Sequence, residues 1–475
     1  MDENKNREEA KTFDDYLMTY LTDDKNILDE KDSVEKDKML LEKENYDISI
    51  QKKYFEQLED EKKKENNLYE DDNKSFIEEN NEDKEIQNNI YQKDNKNSNA
   101  DFLPDLAMIL CLALVVGMVM IKGIGVFHGL ESLLFLMLWA SVLVYVSIII
   151  HEGGHFVFGL LSGYKFASFR IANIMFIKSG IRLTYKKYHI PGTGGQCLMI
   201  PPDIKSDDYD FPYVLYSFGG VIFNLLFGII CFLLYISLPY IIVLSEGFIV
   251  ASALSLYFAM LNGIPRRVGG IANDGANALY LDEDLNTKKA FYAQLKINGL
   301  LTKGIRYKDM DERLFEVDEK ANCKNPLVSA MFNFRVCYLI DKREFDKARE
   351  LIEYSLDNID DMLSVHKSEI KSELFFLELI GDCRDEKITQ IYDEDLKRYI
   401  AVTQNYYISR RRQLYAYELL YNKDEEKARE QLDAFKVIGK NYPYEVEIDG
   451  EIELLHLVHD KALERGIIEE DNKED

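Results

Sequence analysis

His151, Glu152 and His155 form the pattern His-Glu-x-x-His, which has the spacing of a catalytic metal site. On a helix, positions i and i+4 lie on one face, so the two histidines can offer two imidazoles to a single cation. Glu152 follows the first histidine and can deprotonate a metal-bound water without being a ligand itself. The chemistry that this pattern predicts is hydrolysis at a zinc ion, Zn2+.

The residues around the motif, 141–163, are apolar and predict a membrane-spanning helix. A charged carboxylate at the centre of such a helix costs roughly 2.5–3.5 kcal/mol on insertion scales. Zinc together with a water-filled cavity would compensate this cost. A chance occurrence of His-Glu-x-x-His is therefore less expected inside an apolar segment than elsewhere in the chain.

A catalytic zinc needs three protein ligands and one open position. Asp274 is the predicted third ligand, because it follows a stretch broken by Gly and Pro at the membrane face where the motif helix ends. Four other acidic residues lie near that face and are interpreted as a solvated loop: Asp203, Asp207, Asp208 and Asp210.

Four apolar runs have about the length needed to cross a bilayer. They cover residues 103–121, 133 to about 161, about 211–234 and about 246–261. The Lys and Arg clusters that follow the second and fourth runs are typical of the cytoplasmic side. This pattern predicts an integral, multi-pass membrane protein with both termini in the cytoplasm and its outer faces in contact with membrane lipid.

Residues 164–188 alternate between apolar and polar side chains. The alternation predicts a β-hairpin of two short strands, 166–171 and 181–185. Its basic excess, Arg170 included, indicates the cytoplasmic side. The Gly and Pro content of residues 191–202 predicts a loop. An edge strand at 166–171 or 181–185 could hold an unwound substrate segment by strand addition.

The formal net charge of -26 at pH 7 argues against nucleic acid as a partner, since phosphate binding needs a basic surface. Residues 1–100 are rich in Asp, Glu, Lys and Asn and predict an acidic cytoplasmic tail that is largely disordered or partly helical. The alternative is a docking segment that folds on a partner. The six cysteines show no framework spacing and are interpreted as reduced thiols.

Residues 282–475 have the pattern of a soluble helical region, and a similar short sequence recurs in it about every forty residues. The similar segments are residues 338–350, 378–388 and 418–430. Each predicts a helix, a short polar turn and a second helix, which resembles divergent tetratricopeptide repeats. An ordinary helical bundle is the alternative. A cytoplasmic protein is the partner expected for this domain.

Three motifs occur along the chain in one order. They are His151–His155 in a predicted transmembrane helix, Gly219-Gly220-x-x-x-Asn224 in a later one, and Asn262…Pro265…Asn273-Asp274-Gly275 after the next. In these motifs the chain resembles the site-2 protease family of intramembrane zinc metalloproteases. The family's approach to the aspartate is usually shorter and ends in Leu-Asp-Gly, so this chain departs from the pattern there.

The resemblance implies a core of three helices, a membrane-associated hairpin, and zinc held by His151, His155 and Asp274. It implies Glu152 as the catalytic acid and base. By the same resemblance, substrate binding or positioning falls to four further residues: Asn224, Gly219, Gly220 and Asn262.

The predicted fold class is mainly α, with a polytopic membrane helix bundle and a small β-hairpin in residues 101–281. A soluble, all-α, repeat-like domain follows in residues 282–475. The expected function is an intramembrane zinc metalloendopeptidase that hydrolyses a peptide bond in or next to a transmembrane segment of a membrane protein. One alternative is a catalytically inactive membrane scaffold that binds partners through its helical repeats, and another is a zinc transporter.

Overall fold

The computed structural model describes Phe13 and residues 130–179, 182–188, 193–204, 209–238, 242–268, 271–318 and 320–469. The first predicted span, residues 103–121, and the predicted acidic tail apart from Phe13 lie outside the described residues. Residues 130–396 and 406–469 belong to one compact unit. Lys397–Asn405 and Phe13 belong to a second unit, in which the described residues are chiefly the end of one helix.

Three long apolar helices carry most of the predicted site. Helix α1 spans Leu130–Leu161, α2 spans Tyr213–Ser237 and α3 spans Ile242–Gly263. Within the described residues, Trp139–Leu161 and Tyr213–Ser237 are long and apolar enough to cross a membrane, whereas the apolar stretch Gly247–Gly263 is shorter. Two of the four predicted spans therefore meet the length and composition of a membrane helix.

Large apolar side chains remain exposed on α1 and α2. Leu161 is 74% exposed, Ile236 57% and Leu233 56%. Contiguous apolar surface of this kind is costly in water and suits contact with lipid chains.

Helix α2 packs against both α1 and α3. The contact with α1 is made backbone to backbone, because a Cβ on Gly154 would lie 2.1 Å from the carbonyl oxygen of Gly219. The reverse substitution is equally crowded, since a Cβ on Gly219 would lie 2.5 Å from the Gly154 oxygen. Small residues at helix crossings allow this approach in membranes. A Cβ on Gly153, by contrast, would meet no atom within 4 Å.

A four-stranded antiparallel sheet lies between α1 and α2 in the chain, so the predicted two-stranded hairpin was incomplete. Its strands are β1 Lys165–Ile171, β2 Ile174–Ser179, β3 Arg182–Lys187 and β4 Gly195–Ile200, in the order β3-β2-β1-β4. Strand β1 pairs on both sides, with β2 and with β4. The predicted edge at residues 166–171 is therefore an interior strand, and β3 and β4 form the edges of the described sheet.

Strand β4 lies in the segment 191–202, for which the sequence predicted a loop. Two short strands, β5 Arg267–Val268 and β6 Ile271–Ala272, follow α3 and lead into the helices α4, Asp274–Tyr280, and α5, Leu285–Leu301. Strand β4 packs against α1 and α5, and its Met199 and Ile200 are buried there. This burial of apolar side chains outweighs the loop tendency of the neighbouring Gly and Pro residues.

Eight helices follow α5 in the described chain. They are α6 Pro326–Asp341, α7 Phe345–Asn358, α8 Ser364–Ile380, α9 Asp385–Ile391, α10 Glu394–Thr403, α11 Ile408–Ala416, α12 Glu425–Asn441 and α13 Glu445–Glu464. A π-helical turn, Tyr417–Asn422, extends α11. The three predicted units coincide with the pairs α6–α7, α8–α9 and α11–α12, and their likeness to tetratricopeptide repeats stays a prediction.

The end of β3 is attached to the helical region. The Lys186 ammonium donates to the Lys440 carbonyl at 3.2 Å, and the Lys187 backbone N–H donates to Asn441 Oδ1 at 3.4 Å. The Tyr188 hydroxyl donates to the Tyr406 carbonyl at 3.1 Å. The sheet therefore joins the apolar helices to the helical region within the same compact unit.

Candidate metal centre

The structure brings His151, His155 and Asp274 together, with one possible ligand atom from each within 4.8 Å of the others. Asp274 Oδ2 lies 3.0 Å from His151 Nε2 and 3.4 Å from His155 Nε2, and the two Nε2 atoms are 3.1 Å apart. A tetrahedral zinc with bonds of about 2.0–2.1 Å requires ligand atoms roughly 3.3 Å apart. The three atoms therefore have the spacing of three corners of such a tetrahedron.

Helix α1 presents the two imidazoles, and the start of α4 presents the carboxylate. All three residues are buried or nearly so, and the buried Asp274 Oδ2 faces the Nε2 atoms of both histidines without a well-aligned hydrogen bond among the described residues. A buried carboxylate is costly unless a cation meets it. The donor set and its burial thus fit a zinc ion held by these three ligands.

Asn273 holds Asp274 in place, and the sequence reasoning missed it. Its Oδ1 caps α4 by accepting from Ala276 N–H at 3.0 Å, and its Nδ2 donates to the Ile264 carbonyl at 2.7 Å. The same amide also bonds the Leu261 carbonyl at 2.9 Å. An Asn immediately before the first acidic residue of a helix is a recognisable N-cap signal, and it was visible in Asn273-Asp274-Gly275.

Each histidine has a second contact on its other ring nitrogen. His155 Nδ1 lies 2.8 Å from the Tyr216 carbonyl oxygen, and His151 Nδ1 lies 3.3 Å from the terminal amide of Asn224. A histidine that binds metal through Nε2 carries its proton on Nδ1 and needs an acceptor there. The Tyr216 carbonyl is such an acceptor, and this contact was not foreseen from the sequence.

Asn224 meets the same requirement when its amide presents oxygen to His151. In the structure Nδ2 faces the ring, while Oδ1 is buried without a partner. A half-turn about the last bond of the amide exchanges the two atoms with almost no change of shape. Asn224, predicted as a substrate-binding or positioning residue, thus contacts the His151 ring, and its role stays a prediction.

Gly219, Gly220 and Asn262 occupy different places around the centre. A Cβ on Gly220 would lie 2.5 Å from His151 Cε1, so this glycine makes room for the imidazole. Gly219 makes the helix contact with Gly154. The Asn262 amide donates to Phe258 O, one turn back on α3, at 3.1 Å, so its described side-chain bond lies within its own helix.

Glu152 lies beside His151 and faces the start of β4. A Cβ on Gly195 would lie 2.8 Å from Glu152 Oε1, and the backbone N–H of Cys197 faces the same carboxylate. These contacts hold the carboxylate against the backbone of β4. Gly195 was hidden in a segment predicted to be a loop.

Arg170 fixes the turn that leads into β4. Its side chain is fully buried, whereas in the sequence it counted only as part of the basic excess of the hairpin. The guanidinium donates to the Ala172 carbonyl at 2.6 Å, to the Thr193 hydroxyl, and to the Gly195 carbonyl at 3.4 Å. Hydrogen bonds from charged donors contribute about 1.5–3 kcal/mol each. Arg170 therefore positions Gly195, and Gly195 in turn confines Glu152.

Apolar helices of membrane-spanning length and a buried His-His-Asp cluster beside a glutamate define a class, the membrane metallopeptidases. The profile of peptidase family M50 matches residues 139–433, which is more than half of the chain. The chain belongs to this family, the site-2 protease family of membrane-bound zinc metallopeptidases. No curated protein and no solved structure matches the chain.

Proposed function

We propose that the protein is an active intramembrane zinc endopeptidase that hydrolyses a peptide bond in or next to a transmembrane segment of a membrane protein. The observation that carries the proposal is the triangle of His151 Nε2, His155 Nε2 and Asp274 Oδ2, with sides of 3.0–3.4 Å, directly beside Glu152. Family membership supports the same reaction class.

In this proposal the two imidazoles and the Asp274 carboxylate would hold zinc. When bound, the ion would supply Lewis acidity to the substrate carbonyl and to the attacking water. Glu152 takes the proton of the attacking water and passes it to the leaving amine. The Gly195 backbone and the Cys197 N–H keep the carboxylate oriented for both transfers.

The substrate must unwind before it reacts, because a transmembrane helix satisfies its backbone groups internally. Strand β4 is the better of the two described edges for holding the unwound segment, since its first residue, Gly195, lies against Glu152. A substrate paired with β4 would thus enter the site as an added strand. Strand β3 ends at the helical region instead.

The proposal also retains the predicted membrane arrangement, with a multi-pass chain in contact with lipid and both termini in the cytoplasm. The exposed apolar side chains of α1 and α2 support the lipid contact. A cytoplasmic protein bound by the helical region is the further proposed partner.

An inactive scaffold or a zinc transporter explains the site less well. Neither function needs a carboxylate confined by Gly195 beside the metal ligands, whereas hydrolysis needs a general base at that point.

The deciding experiment compares membrane-protein fragments in cells that carry the wild type or Glu152→Gln. The change keeps the shape of the side chain and removes the base, so zinc content should be unchanged. The matched control is Glu426→Gln, at an exposed glutamate on α12. A fragment made by the wild type and the control but not by Glu152→Gln supports the proposal. Identical fragment profiles at equal expression and zinc content would overturn it.

A further inference from the structure

A cavity separate from the metal centre lies between the sheet and the helical region of the same compact unit. Its volume is about 440 Å³. Gln196 and Leu198 of β4 form part of one wall, and Arg412, Tyr442 and Glu447 lie on the wall formed by the helical region. Pockets of about 300–1,000 Å³ accommodate small organic ligands, so this cavity has room for one.

Arg412 supplies a hydrogen-bond donor that the described residues do not use. The residue is 1% exposed, and its Nε donates to Glu451 Oε2 at 2.6 Å while Nη2 donates to both oxygens of Glu373 at 3.0 and 2.8 Å. The buried Nη1 has no hydrogen-bond partner among the described residues. A buried charged donor without an acceptor is destabilising, and an acceptor on a ligand would remove this cost.

Glu447 supplies the opposite charge. Its carboxylate accepts from the Tyr307 hydroxyl at 2.5 Å and also interacts with the Tyr442 hydroxyl. The described residues place no Lys, Arg or His in an ion pair with it. Among the described residues the Glu447 carboxylate is met by neutral donors, and a cation in the cavity would stabilise its charged form.

Tyrosine rings surround the same end of the cavity. The rings of Tyr188 and Tyr442 are 5.8 Å apart at 81°, and those of Tyr442 and Tyr444 are 6.3 Å apart at 79°. Ring faces attract ammonium groups, most strongly where water is excluded. Tyrosines that enclose an uncompensated carboxylate form a site for an amine.

The spacing of Glu447 and Glu451 along α13 gives an approximate length for the ligand. Glu447 and Glu451 lie one turn apart on α13, a rise of about 6 Å, and Arg412 bonds the second of them. A free amino acid carries its two charges closer together than this. Two or three extended residues span about 7–10 Å, which suits the separation.

We propose that the cavity binds a short unblocked peptide of two or three residues, with its ammonium group at Glu447 and its carboxylate at Arg412. The ligand would lie beside Gln196, the residue after the Gly195 that confines Glu152. The proposal concerns binding alone and stands whether or not the chain cleaves a membrane protein.

The test is affinity selection on the full-length protein in detergent, read by mass spectrometry. The probe is a pool of random tripeptides with free termini, and the controls are the same pool acetylated at the amine or amidated at the carboxylate. We expect enrichment from the free pool and a loss of about tenfold in affinity on blocking either end, which corresponds to about 1.4 kcal/mol. Blocking the carboxylate tests the Arg412 contact without altering a residue that holds two buried glutamates.

The matching protein variant is Glu447→Gln, which keeps the tyrosine hydrogen bonds and removes the charge. It should weaken binding of the enriched peptides about tenfold, while Glu445→Gln, at a side chain 72% exposed on the same helix, should not. Equal enrichment of free and blocked peptides, no enrichment at all, or full affinity in folded Glu447→Gln would each overturn the proposal.

Discussion

The carboxylate of Glu152 packs against the backbone of Gly195 so closely that a Cβ there would lie 2.8 Å from Oε1 and 2.9 Å from Cγ of the glutamate. The general base of the proposed reaction is therefore confined by a strand that precedes α2, and not only by its own helix. A Cβ on Gly195 would also lie 2.7 Å from Ile148 Cγ2, so any side chain at position 195 must displace Glu152, Ile148 or both.

Gly195→Ala should lower proteolysis about a hundredfold, because a misplacement of about 1 Å at a reacting group has that effect. Zinc content and expression should stay at the wild-type level. The control is Gly194→Ala, whose Cβ would meet only the flexible end of Ile148, at 3.0 Å. The measurement is the yield of the cleavage fragment; equal loss in both variants would contradict a specific role for the Gly195 contact.

Gly154→Ala should prevent α1 and α2 from packing, since its Cβ would lie 2.1 Å from a backbone oxygen that cannot move aside. Overpacking costs about 1–3 kcal/mol and more against rigid backbone. Gly153→Ala is the neighbouring control, with no atom within 4 Å of its Cβ. Size-exclusion chromatography and thermal unfolding in detergent should show a folded Gly153→Ala protein and a destabilised Gly154→Ala protein. Equal stability of the two would refute the described helix contact.

Asp274→Ala should reduce zinc affinity by more than about a hundredfold, because even the loss of an outer partner of a ligand costs about 10–100-fold. Asp203→Ala is the control, at a carboxylate that is 88% exposed and pairs with Lys296. Metal analysis of the purified proteins measures the effect. Removing zinc with a chelator should abolish cleavage by the wild type, and zinc added back should restore it. Normal zinc in Asp274→Ala would exclude this residue as a ligand.

Asn224→Leu should weaken zinc binding by about 10–100-fold, because His151 Nδ1–H would lose its acceptor. Asn224→Asp keeps an oxygen of the same reach and should retain more zinc than the leucine variant. Zinc titration with a competing chelator separates the two. If aspartate were no better than leucine, the amide would not act as an acceptor for the ring.

Glu447 should make the stability of the protein depend on pH. Burial, together with repulsion from Glu451 and Asp341, raises the pKa of Glu447 to about 7. Hydrogen bonds from the Tyr307 and Tyr442 hydroxyls act in the opposite direction. When the pKa of an acid is higher in the folded than in the unfolded protein, the acid stabilises the folded state most at pH values below its unfolded pKa, near 4.3. This stabilisation is lost as the pH rises from there through the folded pKa of about 7. Glu447→Gln should therefore raise the unfolding temperature relative to wild type more at pH 8 than at pH 5. An equal difference at both pH values would contradict the raised pKa.

The local features of the site could be predicted from the sequence. The four-residue spacing of His151 and His155 places both on one helix face whatever surrounds them, and Glu152 follows from the same helix. Long apolar runs likewise indicated α1 and α2, because hydrophobicity over about twenty residues depends on no distant contact.

Other features depend on contacts between segments far apart in the chain. Strand β4 forms because α1 and α5 bury Met199 and Ile200, and this burial is invisible in a segment rich in Gly and Pro. Arg170 was one of several basic residues of the hairpin in the sequence, and its hydrogen bonds to the Ala172 and Gly195 carbonyls depend on the fold. The sequence predicted Asp274 as the third ligand among several nearby acids, but the packing of α3 and α4 on the helix bundle is what places its Oδ2 3.0 Å from His151. Spacing along one helix sets the two imidazoles, whereas tertiary packing decides which carboxylate completes the centre and which backbone confines its base.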